Sequence, residues 1–498
     1  MVGSVICLLT TQQQEKLSMR IAWPARTKDL YRLYLQGLLI AMIVLNIPGV
    51  SASAQEISHD NIVSLHALPI ETLDMYKEDM TDLEPFIELV GDARVVALGE
   101  SSHGSGTDFQ AKARLIRFLH ERMDFDVILW EAGIYDTHYL NVMLKSGADP
   151  MDAANQALYA HWAYAKEIIP LLTYVRNEHQ AGRSIEIAGF DLQISRPFQT
   201  PPRLINDILA FFHDDTTSLL PSGMVTQLAD LKVQAVEIAN YAQQIKEEST
   251  ASDRFAPFYK ELAEMAPKLL QAINDLNNEL RRIHSPRRIA FVRQMMISLI
   301  GIHEINEPLP GDPERSRSDY VRRWNHREIV NTANIVWYVN THFPDRRVIL
   351  WAHNAHIVEG FMKSDFSMFS ATPPENLAIR PSGSQIRSAL GDELFSMVFT
   401  AYQGSVRRVN DALSLDSEIV EVEPAPNNSI EGQLHMGGLS TAILPLRMAS
   451  GNLEEWLARP RLGRIDTEFL PAQSLDWRGV ADALFYIDHI HPTSISSQ

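Results

Sequence analysis

Four short apolar runs, each stopped by an ionisable residue, restrict the fold of this chain more than any other feature. They are Arg94-Val-Val-Ala-Leu-Gly-Glu100, Val127-Ile-Leu-Trp-Glu131, Ile185-Glu-Ile-Ala-Gly-Phe-Asp191 and Arg347-Val-Ile-Leu-Trp-Ala-His353. A strand with one wet face alternates apolar and polar residues. Runs with little alternation belong to strands buried on both faces, as in parallel sheets covered by helices. Between the first two runs, Phe109, Ala113, Ile116 and Leu119 recur at helical spacing behind a cap at Thr107 or Asp108. The strand, helix, strand order predicts an α/β fold with a mostly parallel central sheet flanked by helices. Residues 394–400 and 483–487 are further candidate strands.

The pattern changes along the chain. From about residue 202 to 305 it becomes helical and rich in Glu, Lys, Gln and Asn, as in 224–248 and 257–284, with no convincing strand. This stretch reads as a helical insertion forming one side of a cleft. It divides the core into a first part, 55–201, and a second part, 306–498. Prolines and a glycine mark 306–313 as a loop, a helix is expected over 318–341, and the Pro- and Ser-rich stretch 366–388 reads as a surface loop edging the cleft.

At the amino end, Arg20, Arg26, Lys28 and Arg32 precede an apolar run at 37–45, and Ala52-Ser-Ala54 has a small-x-small cleavage pattern. Residues 1–54 therefore read as a signal peptide, with Met19 an alternative start to Met1, and the protein as exported, periplasmic or secreted. The apolar run is short for a membrane span; an uncleaved anchor is the alternative, and no stable membrane contact is expected after cleavage. Cys7 is the one cysteine, so neither a disulfide within the chain nor a thiolate zinc site can form. With 62 acidic against 44 basic residues the net charge is −18, which argues against nucleic acid as a partner.

In parallel sheets, ligands bind where loops leave the carboxyl ends of the strands. Here those ends carry Glu100 and His103, Glu131, Asp191, and His353-Asn354-Ala355-His356. A single acid at a strand end more often caps a helix or stays solvated. Recurrence at one level is different, because unpaired buried charge is costly and such groups must pair with one another. Glu100 and His103, three apart on a tight turn, suit a carboxylate that holds an imidazole as general base. His353 and His356 suit an oxyanion donor, a leaving-group acid or metal ligands. No Gly-x-Ser-x-Gly elbow, His-Glu-x-x-His helix, P-loop or dinucleotide turn is present. His120, His179, His284 and His342 read as structural, and Trp162, Trp324 and Trp337 as core.

Taken together, 99–104, 109–119, Trp130-Glu131, 189–191, Trp351-Ala-His-Asn-Ala-His356 and the closing strand at 482–487 resemble the successive motifs of the erythromycin esterase family, which includes succinoglycan biosynthesis-like proteins. The resemblance implies hydrolysis of an ester or a macrolide lactone by activated water, without a covalent serine intermediate or cofactor. It makes His103 the base, has Glu100 and Glu131 orient it and the water, and gives His353 a part in catalysis. Arg327, His356, Asn354 and Asp191 are expected at the substrate, a small-molecule ester or lactone. Arg327-Glu328 stands where the family commonly has Arg-Asp. Two alternatives stay open: a metal-dependent hydrolase using Glu100, His103, Glu131, His353 and His356 around zinc or manganese, and an exported binding protein that does not turn its ligand over.

Overall fold

After a two-residue strand, Leu68–Pro69 (β1), the four apolar runs fold as Val95–Leu98 (β2), Phe125–Gly133 (β3), Glu186–Asp191 (β4) and Arg347–Trp351 (β5). This computed structural model describes residues 62–213, 218–242, 252–306, 313–360, 379–409 and 418–495. The expected signal peptide, the heart of the 306–313 loop and most of the 366–388 loop lie outside the described residues. In β2 the side chains part by twos: Val96 and Leu98 join the apolar cluster on one face, Val95 and Ala97 that on the other. All four are buried, which is why the run shows no polar alternation.

The remaining strands are Leu394–Arg407 (β6), Ile419–Val422 (β7), Thr441–Pro445 (β8), the small hairpin Arg461–Gly463 (β9) with Gln473–Leu475 (β10), and Ala483–Ile490 (β11). The main sheet runs β1-β8-β11-β6-β2-β5-β3-β4, with β7 beside β6. From β11 through β4 every pairing is parallel. Antiparallel pairs confined to β1, β7 and β8 make the sheet mixed. The parallel core sets the ends of β2, β3, β4 and β5 along one edge.

Helices cover both faces. Gly106–Met123 (α1) is capped by Ser105, whose Oγ accepts from the Asp108 amide, and not by Thr107 or Asp108. Asp108 turns back instead and accepts from the amide and hydroxyl of Ser101, bracing the turn after β2. Ile134–Lys145 (α2) follows β3 directly. Thr200–Phe211 (α3), Ser222–Ala242 (α4), Ser252–Asp275 (α5) and Pro286–Ile300 (α6) build a third apolar cluster, which Ile134, Tyr135 and Leu192 join from the strand ends.

Pro313–Trp337 (α7) begins before the expected 318 and passes into a π turn at Tyr338–His342 before β5. Asn354–Ile357 (α8) is a single turn after β5. Ser382–Leu390 (α9) is a helix where the composition predicts a loop; Ile386 and Leu390, four apart, bury its inner face. No helix among the described residues is long and apolar enough to cross a membrane.

Candidate active site

The turn after β2 builds half of the site. A Cβ at Gly99 would overlap the Asn354 amide, so the strand end passes beneath that side chain only as glycine. Glu100 follows, fully buried, and its oxygens are divided. Oε1 accepts from Nδ1 of His103 at 2.6 Å, and Oε2 from the Lys112 ammonium at 2.8 Å. Lys112 reaches in from the buried face of α1 and also donates to the Ala352 carbonyl at 3.2 Å. Burial pushes the Glu100 carboxyl up, but Lys112 and His103 outweigh it and hold it below its ordinary value. Burial pushes His103 down; its bond to Glu100 and the field of Glu131 reverse this and raise it. With Nδ1–H on the carboxylate, Nε2 is the nitrogen left to take a proton.

The His103 ring is held in place. His161 stacks on it at 4.5 Å and Trp162 meets it edge-on at 5.3 Å. Burial and the neighbouring His103 push His161 well down, so it packs as a neutral ring. Both serine hydroxyls of the turn are committed elsewhere: Ser101 donates to Asp108 at 2.8 Å and Ser102 to Glu468 at 2.9 Å.

His353 faces His103 with ring centroids 4.8 Å apart. It caps α8, its Nδ1 accepting from the Ala355 amide at 3.0 Å. A ring nitrogen that accepts carries no proton, so the neutral ring holds its hydrogen on Nε2. Burial, together with the adjacent His103, pushes the imidazole down to about 3. His353 is thus a neutral donor and not a second base.

Glu131 sits at the irregular end of β3, where the register shifts between Trp130 and Gly133. Its carboxylate gathers three segments: the His353 amide at 2.7 Å, Nε2 of His356 at 2.8 Å and Nη2 of Arg327 at 3.3 Å. His356 gives its other nitrogen to Glu328 at 2.7 Å and stacks under Trp324 at 5.1 Å. Burial would lower this imidazole, but Glu131 and Glu328 push it up to about 10. Against the cost of burial, His356 in turn holds Glu131 well below the usual carboxylate range.

His103, Glu131, Arg327, His353 and His356 line one cavity of about 220 Å³, with Tyr159, His161, Tyr320 and Trp324. Two residues expected at the substrate stand behind it. Asn354 is fully buried, exchanges hydrogen bonds with the Phe399 main chain and donates to the Ile465 carbonyl at 2.9 Å. Its amide therefore ties the strand ends together, which corrects the expectation of a substrate contact. Asp191 is also buried; it accepts from Nε and Nη2 of Arg327 at 2.9 and 2.6 Å and orients that guanidinium from the rear. No described residue from 202–305 lines this cavity. The side expected from the insertion comes instead from Tyr320 and Trp324 on α7 and from the turn at 466–470.

That turn and Lys112 are what the sequence reading missed. Oδ1 of Asp466 accepts from the amides of Glu468 and Phe469 at 2.8 and 2.6 Å and from Leu470 at 3.4 Å. Its Oδ2 lies 3.8 Å from Nε2 of His353. Glu468 is pushed up to about 7, chiefly by burial. Lys112 left a signal: it falls three residues after Phe109 on the apolar stripe of α1, where a leucine would be ordinary. Trp324 and Trp162, read as core, touch His356 and His103 respectively. Among the described residues no group of three or more His, Cys, Asp or Glu is placed to hold a metal ion.

The profile of the erythromycin esterase family matches residues 120–466. The chain belongs to the erythromycin esterase family. The matched span holds Glu131, Asp191, Arg327, His353 and His356, whereas Glu100 and His103 precede it. As a member of the erythromycin esterase family the chain is similar to YbfO of Bacillus subtilis (strain 168), provisionally named a hydrolase. That likeness is 23% identity, covering 92% of this chain and 97% of YbfO. Erythromycin esterase type II of Escherichia coli is 19% identical, over 80% of this chain and 90% of its own. A solved structure of a mutant of the erythromycin esterase EreC, in its open conformation, superposes with a TM-score of 0.59 at 16% identity, covering 86% of this chain and 98% of that one. It shares the fold. The family and the hydrolase-named relative support a hydrolase.

Proposed function

We propose that the protein hydrolyses a carboxylic ester or lactone by general-base activation of water. The observation that carries this reading is the pairing of two imidazoles with opposite capacities across one cavity. Nε2 of His103 is free to accept because Nδ1 donates to Glu100 at 2.6 Å, while Nε2 of His353 is held as a donor by the cap on α8. His103 takes a proton from water as the oxygen attacks the carbonyl carbon. The carbonyl electrons move to the oxygen, and His353 donates to the oxyanion. Collapse breaks the bond to the alcohol oxygen, which receives the proton from His103, leaving acid and alcohol. Arg327 and His356 line the same wall with their charges paired to Asp191, Glu131 and Glu328, which fixes both side chains as donors beside the cavity.

Kinship with erythromycin esterases favours a macrolide lactone, and the leader pattern at 1–54 favours a site of action outside the cytoplasm. The test is to incubate the protein with a panel of macrolides and aryl esters and follow addition of one water by mass spectrometry. Turnover is expected for at least one panel member, and His103→Ala should lower it about 10²–10⁴-fold, the worth of a general base. No turnover of any member, or a near wild-type rate in His103→Ala, would refute the reading. Hydrolysis of aryl esters alone would keep the chemistry and discard the macrolide.

A further inference from the structure

A second cavity, of about 290 Å³, lies at the opposite end of the strands from the catalytic one, where β4 starts at Glu186 and the chain passes Phe343 towards β5. Lys145, at the end of α2, and Arg287 and Arg288, in the first turn of α6, line it against the one carboxylate of Glu186. Lys145 pairs with Glu186 at 2.7 Å. Among the described residues Arg287 and Arg288 have no carboxylate partner, in a chain whose net charge is −18. Ser285 caps α6 by accepting from the Arg288 amide at 3.2 Å, so the positive end of a 15-residue helix meets the same space.

A buried side chain points to a ligand independently of that charge. Tyr338 is 1% exposed, lines the cavity, and its hydroxyl has no hydrogen-bond partner among the described residues. Buried phenols ordinarily find one. Tyr338 opens the π turn, and such widened turns occur frequently at functional sites. His342, at the other end of that turn, accepts from Nε of Arg287 at 3.2 Å, which leaves its Nδ1 as a donor. Burial, reinforced by the nearby arginines, pushes His138 and His342 down to about 4, so the positive charge resides on the guanidinium groups. Phe291, against which His138 packs at 4.5 Å, and Phe343, beneath the Arg287 guanidinium at 5.0 Å, supply flat apolar walls.

We propose that this cavity binds an organic oxyanion, a carboxylate or phosphate carried on a flat ring. Arg287, Arg288 and the start of α6 hold the charge, the aromatic walls hold the ring, and the Tyr338 hydroxyl pairs with a polar atom of the ligand. Nothing in this depends on the hydrolytic reading of the other cavity.

Calorimetric titration of the full chain with benzoate, phenyl phosphate, inorganic phosphate and benzyl alcohol tests it. Saturable one-site binding is expected for benzoate or phenyl phosphate, at least tenfold weaker for benzyl alcohol, with inorganic phosphate weaker than phenyl phosphate. The stronger of the two ring anions identifies the charged group. Replacing the exposed arginines together, Arg287→Ala with Arg288→Ala, should weaken binding at least tenfold and leave ester hydrolysis unchanged; Tyr338→Phe should weaken it several-fold. Absence of saturable binding by either ring anion would overturn the proposal. Binding unaltered in the double variant, or abolished by occupying the catalytic cavity with ester, would overturn it too.

Discussion

His353→Asn separates the two imidazoles most cleanly. Asparagine is a strong helix-capping residue, so its Oδ1 can take over the Ala355 amide that Nδ1 of His353 now accepts at 3.0 Å. The turn of α8 and the amide bond to Glu131 should then persist, with little of the roughly 1 kcal/mol that removing a cap costs. What disappears is the Nε2–H, because the shorter side chain stops short of the cavity. Loss of one preorganised oxyanion donor costs about 10²–10³ in kcat, or roughly 2.7–4 kcal/mol. The sign of the pH effect follows from protonation. His103 must be neutral to act, and its pKa is raised, so kcat/KM rises with pH through a value above 6.5. His353, pushed down to about 3, is already neutral throughout that range. The variant should therefore lose rate at every pH while keeping the acid limb in place. The assay is kcat/KM for an aryl ester from pH 5 to 9, beside urea unfolding of the same preparation. A loss under tenfold, or disappearance of the acid limb with the fold intact, would refute the assignment of donor and base.

Glu100→Gln removes the carboxylate shared by His103 and Lys112. It should destabilise the fold by about 3–5 kcal/mol through the unpaired buried ammonium, and adding Lys112→Met should restore most of that in urea unfolding without restoring activity. The imidazole of His356 has a folded pKa raised from 6.5 to about 10. Its contribution to stability is therefore complete below about pH 6.5 and lost as pH rises towards 10. Unfolding free energies of wild type and His356→Gln should accordingly converge across that window; a constant gap would mean that the ring is uncharged.

The strand ends were legible for a physical reason. A strand buried on both faces has to be apolar along its length, and parallel pairing brings the polar residues that stop it to one edge. Glu100, Glu131 and His353 are of this kind: Glu131 and His353 line the cavity, and Glu100 stands behind His103. Asp191 and Asn354 obey the same rule but stand behind the cavity, because sequence spacing does not say which strand-end groups are consumed internally, Asn354 in tying the strand ends together and Asp191 in orienting Arg327. The donor character of His353 was hidden, since it arises from a cap that exists only once α8 turns. Asp466 and Glu468 lie on an irregular turn with no periodicity to mark them. The helix α9 was masked by serine and glycine, whose turn preference is overruled by burial of Ile386 and Leu390 and by the bonds from Ser382 to Glu328 at 2.8 and 2.9 Å.

The turn at 466–470 keeps its shape through one aspartate oxygen and three main-chain amides. Glu468, Phe469 and Leu470 supply those amides while their side chains form part of the cavity wall. For Phe469 and Leu470 shape and lining are thereby uncoupled, and their side chains can be exchanged with the loop path preserved; the Glu468 carboxylate also holds the Ser102 hydroxyl and the Val409 amide and has to stay. Random libraries confined to Phe469 and Leu470 are the economical route to enzymes of altered substrate range with His103 and His353 left undisturbed.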